Sequence, residues 1–279
     1  MQEQSHNNQK KIAVINDISG FGRCSITVAL PIISQMGIQC CPLPTAILSN
    51  HTGYEHFFFD DYTHHMQEYI ENWRLLRLKF DGIATGFLGS AEQIRIVEHF
   101  IREFRTEGTK VIIDPVMGDN GELYPTYTQE MQQEMKKLVS YADILTPNLT
   151  EACFLTGTTW RPGHWTQEEL FRLAEELSRY GAEKVVISGI QMGEYLGNVV
   201  YETSGTKKVL RKKRVGRERA GTGDIFSSII AADCVNRVDF TDSVRKAADF
   251  IQTCMERTEQ YEIPSEDGVC FEELLHHLR

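Results

Sequence analysis

Along this chain, short apolar runs alternate with longer segments whose apolar residues recur every three or four positions. Lys11–Asn16 (KIAVIN) is one such run, and it feeds Asp17-Ile18-Ser19-Gly20, which reads as a glycine turn. Arg23–Met36 spaces Ile26, Leu30, Ile33 and Met36 as a helical face, with Pro31 as an expected kink and Gly37 as a stop. A strand follows at Ile38–Leu43, a helix at Tyr62–Lys79, a strand at Phe80–Thr85, a helix at Ala91–Glu107 and a strand at Lys110–Asp114. Helices are predicted over Gln129–Tyr141, Leu149–Leu155 and Gln167–Tyr180, and strands at Asp143–Leu145 and Lys184–Ser188. Tyr195–Glu202 and Lys207–Val215 flank Thr203-Ser204-Gly205 as a hairpin, and the helices Gly223–Val235 and Thr241–Gln260 close the body. This alternation implies an α/β fold, a three-layer α/β/α sandwich with a central, mostly parallel sheet. No linker divides the chain, so a single domain is expected over 11–279 after a polar, disordered lead-in at 1–10. Such sheets bind ligands at the C-terminal ends of their strands, which directs attention to Asp17, Thr85, Asp114, Thr146 and Ser188.

Composition narrows the function. With 41% hydrophobic and 24% charged residues in 279, the chain suits a globular protein and not a disordered one. No apolar run approaches the ~18 residues of a membrane span, and Met1–Lys10 lacks an apolar signal core. The net charge of −10 makes general nucleic-acid binding a poor expectation. Seven cysteines without a CxxC pair argue against a zinc ribbon and for reduced, mostly buried thiols in the cytoplasm.

Candidate chemistry lies in the loops. Gly20-Phe21-Gly22-Arg23-Cys24-Ser25 meets only part of the dinucleotide fingerprint, because Ser25 takes the third glycine position and no acidic residue stands about 20 positions on. Gly216–Gly221 has P-loop spacing, but Thr222 replaces the lysine. Ala220-Gly221-Thr222-Gly223-Asp224 opens a helix, so its N–H groups can take an anion and Asp224 can take a proton from a hydroxyl beside it; a plain helix cap is the alternative. Asp114-Pro115-Val116-Met117-Gly118-Asp119-Asn120-Gly121 places two carboxylates in a glycine-rich loop that suits hydrated magnesium. In Thr146-Pro147-Asn148-Leu149-Thr150-Glu151, Asn148 and Glu151 share a face at a helix start, as ligands or as a capping pair. The basic run Lys207, Lys208, Arg211, Lys212, Lys213, Arg214, Arg217 and Arg219 would draw an anionic nucleotide or guard a sheet edge.

Taken together, these segments and Ser49-Asn50-His51-Thr52-Gly53-Tyr54 (SNHTGY) resemble the ribokinase superfamily, and within it the pyridoxal, pyridoxine and pyridoxamine kinases, from about Lys11 to the helix after Asp224. The resemblance implies an ATP-dependent kinase acting on the 5′-hydroxymethyl of a vitamin B6 vitamer. Asp224 would be the base, and Gly221, Thr222 and Gly223 would hold the charge developing on the γ-phosphate. Asp119 and Glu151 would organise Mg2+, directly or through water. Asp114, Thr146 and Ser188 would lie near a monovalent cation (K+ or Na+) and the ATP phosphates, with Asn148 on the phosphates and Arg214 and Val215 on the nucleotide. His51, Thr52, Phe87, Asp17 and Ser19 would line the vitamer pocket, and Tyr124 would belong to a lid-like loop. It further implies a homodimer.

Asp17 departs from the pattern, since many pyridoxal kinases have a serine there. A carboxylate resembles the hydroxymethylpyrimidine kinases of thiamine synthesis more closely, which leaves that activity as an alternative. It favours a cationic ring nitrogen or an amine, so pyridoxamine or pyridoxine is expected over pyridoxal, unless Asp17 merely caps the turn at Ser19-Gly20. A non-catalytic binder of the same fold would be expected to lose Asp224 or its glycines, and both are present.

Overall fold

The computed structural model describes residues 5–279. Its elements are β1 (Lys11–Phe21), α1 (Ser25–Gln35), β2 (Gln39–Asn50), β3 (Phe59–Asp61), α2 (Thr63–Leu75), β4 (Gly82–Thr85), α3 (Ala91–Phe104) and β5 (Lys110–Ile113). A two-stranded ribbon of β6 (Gly118–Asp119) and β7 (Glu122–Leu123) precedes α4 (Gln129–Leu138), β8 (Ile144–Leu145), α5 (Leu149–Thr156) and α6 (Gln167–Ser178). The chain ends with β9 (Lys184–Met192), β10 (Tyr195–Glu202), β11 (Lys207–Lys213), α7 (Thr222–Val235) and α8 (Phe240–Glu259), followed by short 3-10 turns.

One nine-stranded sheet runs β11-β10-β9-β8-β5-β4-β1-β2-β3. Its six central strands are parallel, and β10, β11 and β3 are antiparallel at the edges. Strand period two decides which layer each residue joins. Ile12, Val14, Ile112, Ile144 and Val186 pack under α1, α7 and α8. Ala13, Ile15, Val111, Ile113 and Val185 pack under α2 to α6. The three-layer α/β/α sandwich expected from the sequence is therefore present.

The local differences have physical causes. Residues 17–20 form no turn: β1 runs on to Phe21, because β2 supplies partners as far as Phe21↔Asn50, with a register shift at Asp17. β2 is equally long despite Pro42 and Pro44. Up to Thr45 it pairs only with β1, so two prolines spaced by two can turn their missing donors to the open side. Pro31 sits inside a continuous α1. Of the lead-in, residues 1–4 lie outside the described residues. Residues 5–10 are tied down, since Asn7 bonds the Arg77 carbonyl at 3.2 Å and the Lys79 N–H at 2.8 Å.

After β1 the chain crosses to β2 on one side, then to β4 on the other. The order of the sheet thus reverses between β1 and β4, where such folds open a ligand crevice.

Candidate active site

Asp224 stands in the first turn of α7, whose N-cap Gly221 has φ +81. A Cβ on Gly221 would overlap the Arg23 carbonyl oxygen, so only glycine brings this loop against the β1–α1 turn. Residue Thr222 carries the helix onward, and its hydroxyl reaches back to the Arg219 carbonyl at 3.4 Å. The helix start and the Asp224 carboxylate therefore sit together against the β1–α1 turn.

Asn16, which the sequence reading did not single out, orients that carboxylate. Its Oδ1 accepts the N–H groups of Asp17 (2.9 Å) and Phe87 (2.8 Å), which leaves Nδ2 to donate to Asp224 Oδ1 at 3.3 Å. Asn16 is 5% exposed. Gly86 has no room for a Cβ against it, so the Thr85-Gly86-Phe87 turn and Asn16 fix one another. Burial pushes the Asp224 carboxyl up to about 6, against the Ser25 N–H and the Asn16 amide, which favour its charge.

Asp114, Thr146 and Thr85 end three neighbouring strands, joined by bonds from Asp114 N to the Thr85 carbonyl (3.2 Å) and from Thr146 N to the Ile113 carbonyl (3.1 Å). Burial, then the nearby Glu151 and Asp224, hold Asp114 well above the usual carboxylate range. The hydroxyls of Thr85 and Thr146 are buried without a hydrogen-bond partner among the described residues. Ser188 lies beyond them on β9, bridged to Asn148.

The Asn148–Glu151 pair is a complete capping box, the alternative that the sequence left open. Asn148 Oδ1 accepts the Glu151 N–H at 2.9 Å and its Nδ2 donates to the Gly118 carbonyl at 2.9 Å, which leaves the second amide hydrogen without an acceptor among the described residues. Glu151 accepts from Asn148 N (2.8 Å) and Met117 N (3.1 Å), one bond to each oxygen. It therefore anchors the Met117–Gly118 segment as well as the helix. Asp119 is exposed at the tip of the β6–β7 ribbon and accepts from Asn120 N at 2.8 Å. Among the described residues no three His, Cys, Asp or Glu side chains converge on one metal-sized point.

On the opposite flank, His51 is not open to a ligand. The Gly53 N–H donates to Nδ1 (3.1 Å), which leaves the proton on Nε2 to donate to the Glu266 carbonyl at 2.7 Å. Tyr54 donates to Asp267 at 2.9 Å, and Thr52 is exposed. Phe87 is half-buried beside the crevice. Asp17 is 6% exposed with each oxygen taken by a hydroxyl, Ser25 at 2.6 Å and Ser19 at 3.0 Å. The basic run lies on the edge strand β11 and beyond it, with Lys207 paired to Glu175, Lys212 to Asp249 and buried Arg219 to Glu259. Arg214 and Val215 follow β11, exposed and half-buried.

A family model described as phosphomethylpyrimidine kinase matches residues 26–268. The chain belongs to that family. A solved "putative phosphomethylpyrimidine kinase" of Bacteroides thetaiotaomicron is 39% identical with a TM-score of 0.95, over 99% of this chain and 96% of that one. An orthorhombic form of that protein was solved with pyridoxal. The pyridoxine/pyridoxal/pyridoxamine kinase of Bordetella avium is 31% identical over 76% of this chain and 73% of its own length. A Saccharomyces cerevisiae relative described as "putative pyridoxal kinase" is 25% identical, and the match spans 62% of its length. In this chain the Asp224 carboxylate and the start of α7 lie beside the end of β1, where the order of the sheet reverses.

Proposed function

We propose that this protein is an ATP-dependent kinase that phosphorylates the 5′-hydroxymethyl group of a vitamin B6 vitamer. The observation that carries the reading is the Asp224 carboxyl, aimed by Asn16 into the crevice behind the Gly221–Gly223 helix start. With a protonation midpoint near 6, Asp224 is mostly ionised at neutral pH, yet basic enough to take the hydroxymethyl proton as its oxygen attacks the γ-phosphoryl. The free N–H groups at the start of α7 face the charge that moves onto the transferring oxygens. Phe87, Thr52 and Ser19 are the side chains proposed for the vitamer side; Ser188, Arg214 and Val215 are proposed for the nucleotide.

The strand ends fit a hard cation. Two buried hydroxyls without partners stand beside a carboxyl whose charged form burial and the neighbouring Glu151 and Asp224 disfavour, and a cation there would supply the missing counter-charge. Asp114 and Thr146 would hold Mg2+ or K+ there, with Asp119 and Glu151 acting through water. Mg2+ usually keeps several waters and takes one or two carboxylates plus substrate phosphates, which suits a site without a closed protein cage. Bound there, the cation would neutralise phosphate charge.

The supporting likeness is that of the Bordetella avium relative, named for the B6 vitamers, and of the Bacteroides structure solved with pyridoxal. Unpaired thiols support a cytoplasmic setting, and no described helix is long and apolar enough to cross a membrane. Exposed Phe57, Phe58 and Phe59 at the β3 edge support a homodimer, to be checked by sedimentation. The deciding experiment is a coupled ADP-release assay with ATP, magnesium and, in turn, pyridoxal, pyridoxine, pyridoxamine and hydroxymethylpyrimidine. Turnover of the pyrimidine alone would overturn the proposal.

A further inference from the structure

Asp17 poses a problem that the kinase reading leaves open: a carboxyl near Asp224, yet buried and held at each oxygen by a protein hydroxyl. Its partner Ser25 poses another. Ser25 is the first residue of α1 and has φ +55, a left-handed conformation that side chains other than glycine seldom adopt. Strained positions of this kind persist where the surroundings over-determine them, and they gather at functional sites.

The two oddities meet at Asp224. Ser25 is 7% exposed, its hydroxyl donates to Asp17 Oδ1 at 2.6 Å, and its backbone N–H faces the Asp224 carboxylate. Ser19 holds the other Asp17 oxygen at 3.0 Å. The left-handed turn lets one residue address both carboxyls, with its side chain on one and its amide on the other. Asn16 reaches Asp224 from β1, so the base is held from two sides by neighbours of Asp17. The groups facing Asp17 are these two serines, the Cys24 thiol, His51 and Asp224 itself. A ring nitrogen or amine would have to enter a site 6% exposed and share the Asp17 oxygens with the serine hydroxyls.

We propose that Asp17 is a positioning residue for Asp224, acting through Ser25, and not a reader of the vitamer. The inference rests on the kinase reading and deepens it. It also replaces the vitamer preference expected from the sequence: if Asp17 grips Ser25, it has no direct means of ranking the three vitamers.

The test compares the parent with Asp17→Asn, Asp17→Ser, Ser25→Ala, Ser25→Gly and Asp17→Asn combined with Ser25→Ala. Both kcat and KM are measured for ATP and for each vitamer, with a thermal melt of every protein. A misaimed base should lower kcat by up to about 10²-fold. The fall should be equal for all three vitamers, with little change in KM. The double variant should lose no more than the worse single one, because the two residues act in series. Ser25→Gly should melt above Ser25→Ala, since glycine takes the left-handed backbone freely, while its turnover stays as low. A purely structural role would instead let turnover recover with stability. Vitamer ratios that shift in Asp17→Ser, or a folded Ser25→Ala with parental kcat, would overturn the inference. The parent's own activity on the vitamers tests the function, and the variant ratios test the positioning, so the two fail separately.

Discussion

Replacing Asp224 by Asn should nearly abolish turnover and yet stabilise the protein. The two effects share one cause, the cost of keeping a charged base out of water. In the folded chain the carboxyl titrates near 6, against an ordinary value of 3.8. The folded state therefore binds more protons than the unfolded one between those values, and stability falls as pH rises through that window. Above it the penalty is complete. At ~1.4 kcal/mol per pH unit it amounts to about 3 kcal/mol, which solvent at the open mouth of the crevice reduces to about 1–2 kcal/mol. Asn carries no charge, and its side-chain oxygen can still accept from Asn16. At about 2–4 °C per kcal/mol for a chain of this size, Asp224→Asn should melt about 2–8 °C above the parent at pH 8. The gap should narrow toward pH 4, where the folded parent's carboxyl is protonated and the unfolded one is near its own midpoint of 3.8. Loss of a general base costs about 10²–10⁴-fold in rate. The assay is a pair of melting curves at pH 8 and pH 4, without nucleotide or metal, beside kcat at pH 8. A variant that keeps kcat refutes the base assignment. One that melts below the parent at pH 8 refutes the account of its burial.

Further outcomes follow from neighbouring contacts. In the parent, kcat/KM should fall as pH drops through about 6, the value at which Asp224 takes up its proton, and Asn16→Ala should move that limb to higher pH, because Asn16 favours the ionised form. Gly221→Ala should cost about 2–4 kcal/mol by denaturant melts, from a left-handed backbone and an overlap with the Arg23 carbonyl, and should abolish transfer. Activity should vanish in excess chelator, and Glu151→Gln should raise the magnesium needed for half-maximal rate; overlapping titrations would refute a role near the cation. Arg219→Met should leave the carbonyls of Ile263 and Pro264 without their donor, and limited proteolysis should then cut the 263–268 segment faster.

What the sequence showed depended on how local each signal was. The layer assignment of Ile12 and Val14 against Ala13 and Ile15 follows from strand periodicity, so it was legible. The capping box was legible too, because Asn148 and Glu151 are neighbours on one turn; what could not be read was that Asn148 would also donate to the Gly118 carbonyl, 30 residues away. The end of β1 misled for a stated reason. Asp17, Ser19 and Gly20 carry turn chemistry locally, and only pairing with the full length of β2 keeps them extended. Asn16 and His51 were hidden by distance. Their partners lie 208 and 215 residues away, so a lone Asn at a strand end or a His in SNHTGY has no pattern that reveals what it will bond.

The same long-range contacts explain how one crevice can hold two substrates. The helix-start loop proposed to face the phosphate and the SNHTGY loop come from distant parts of the chain, and no described strand joins them. Residues 263–272 do so instead. Arg219, its side chain 3% exposed, ties the approach to Gly221 to the carbonyls of Ile263 and Pro264. Next along that segment, the Glu266 carbonyl accepts from His51, Asp267 accepts from Tyr54 and Arg23, and Glu272 pairs with Arg23 at 2.6 Å. Arg23 in turn supplies the carbonyl against which Gly221 must pack. Phosphoryl transfer depends on holding acceptor oxygen and phosphorus in line, and an error of about 1 Å costs up to about 10²-fold. A segment that grips both loops fixes their separation without touching either substrate. It divides the burden of precision between backbone carbonyls and the buried Arg219, which do not titrate, and the side chains of His51, Tyr54, Asp267 and Glu272, and it leaves Asp224 outside the grip.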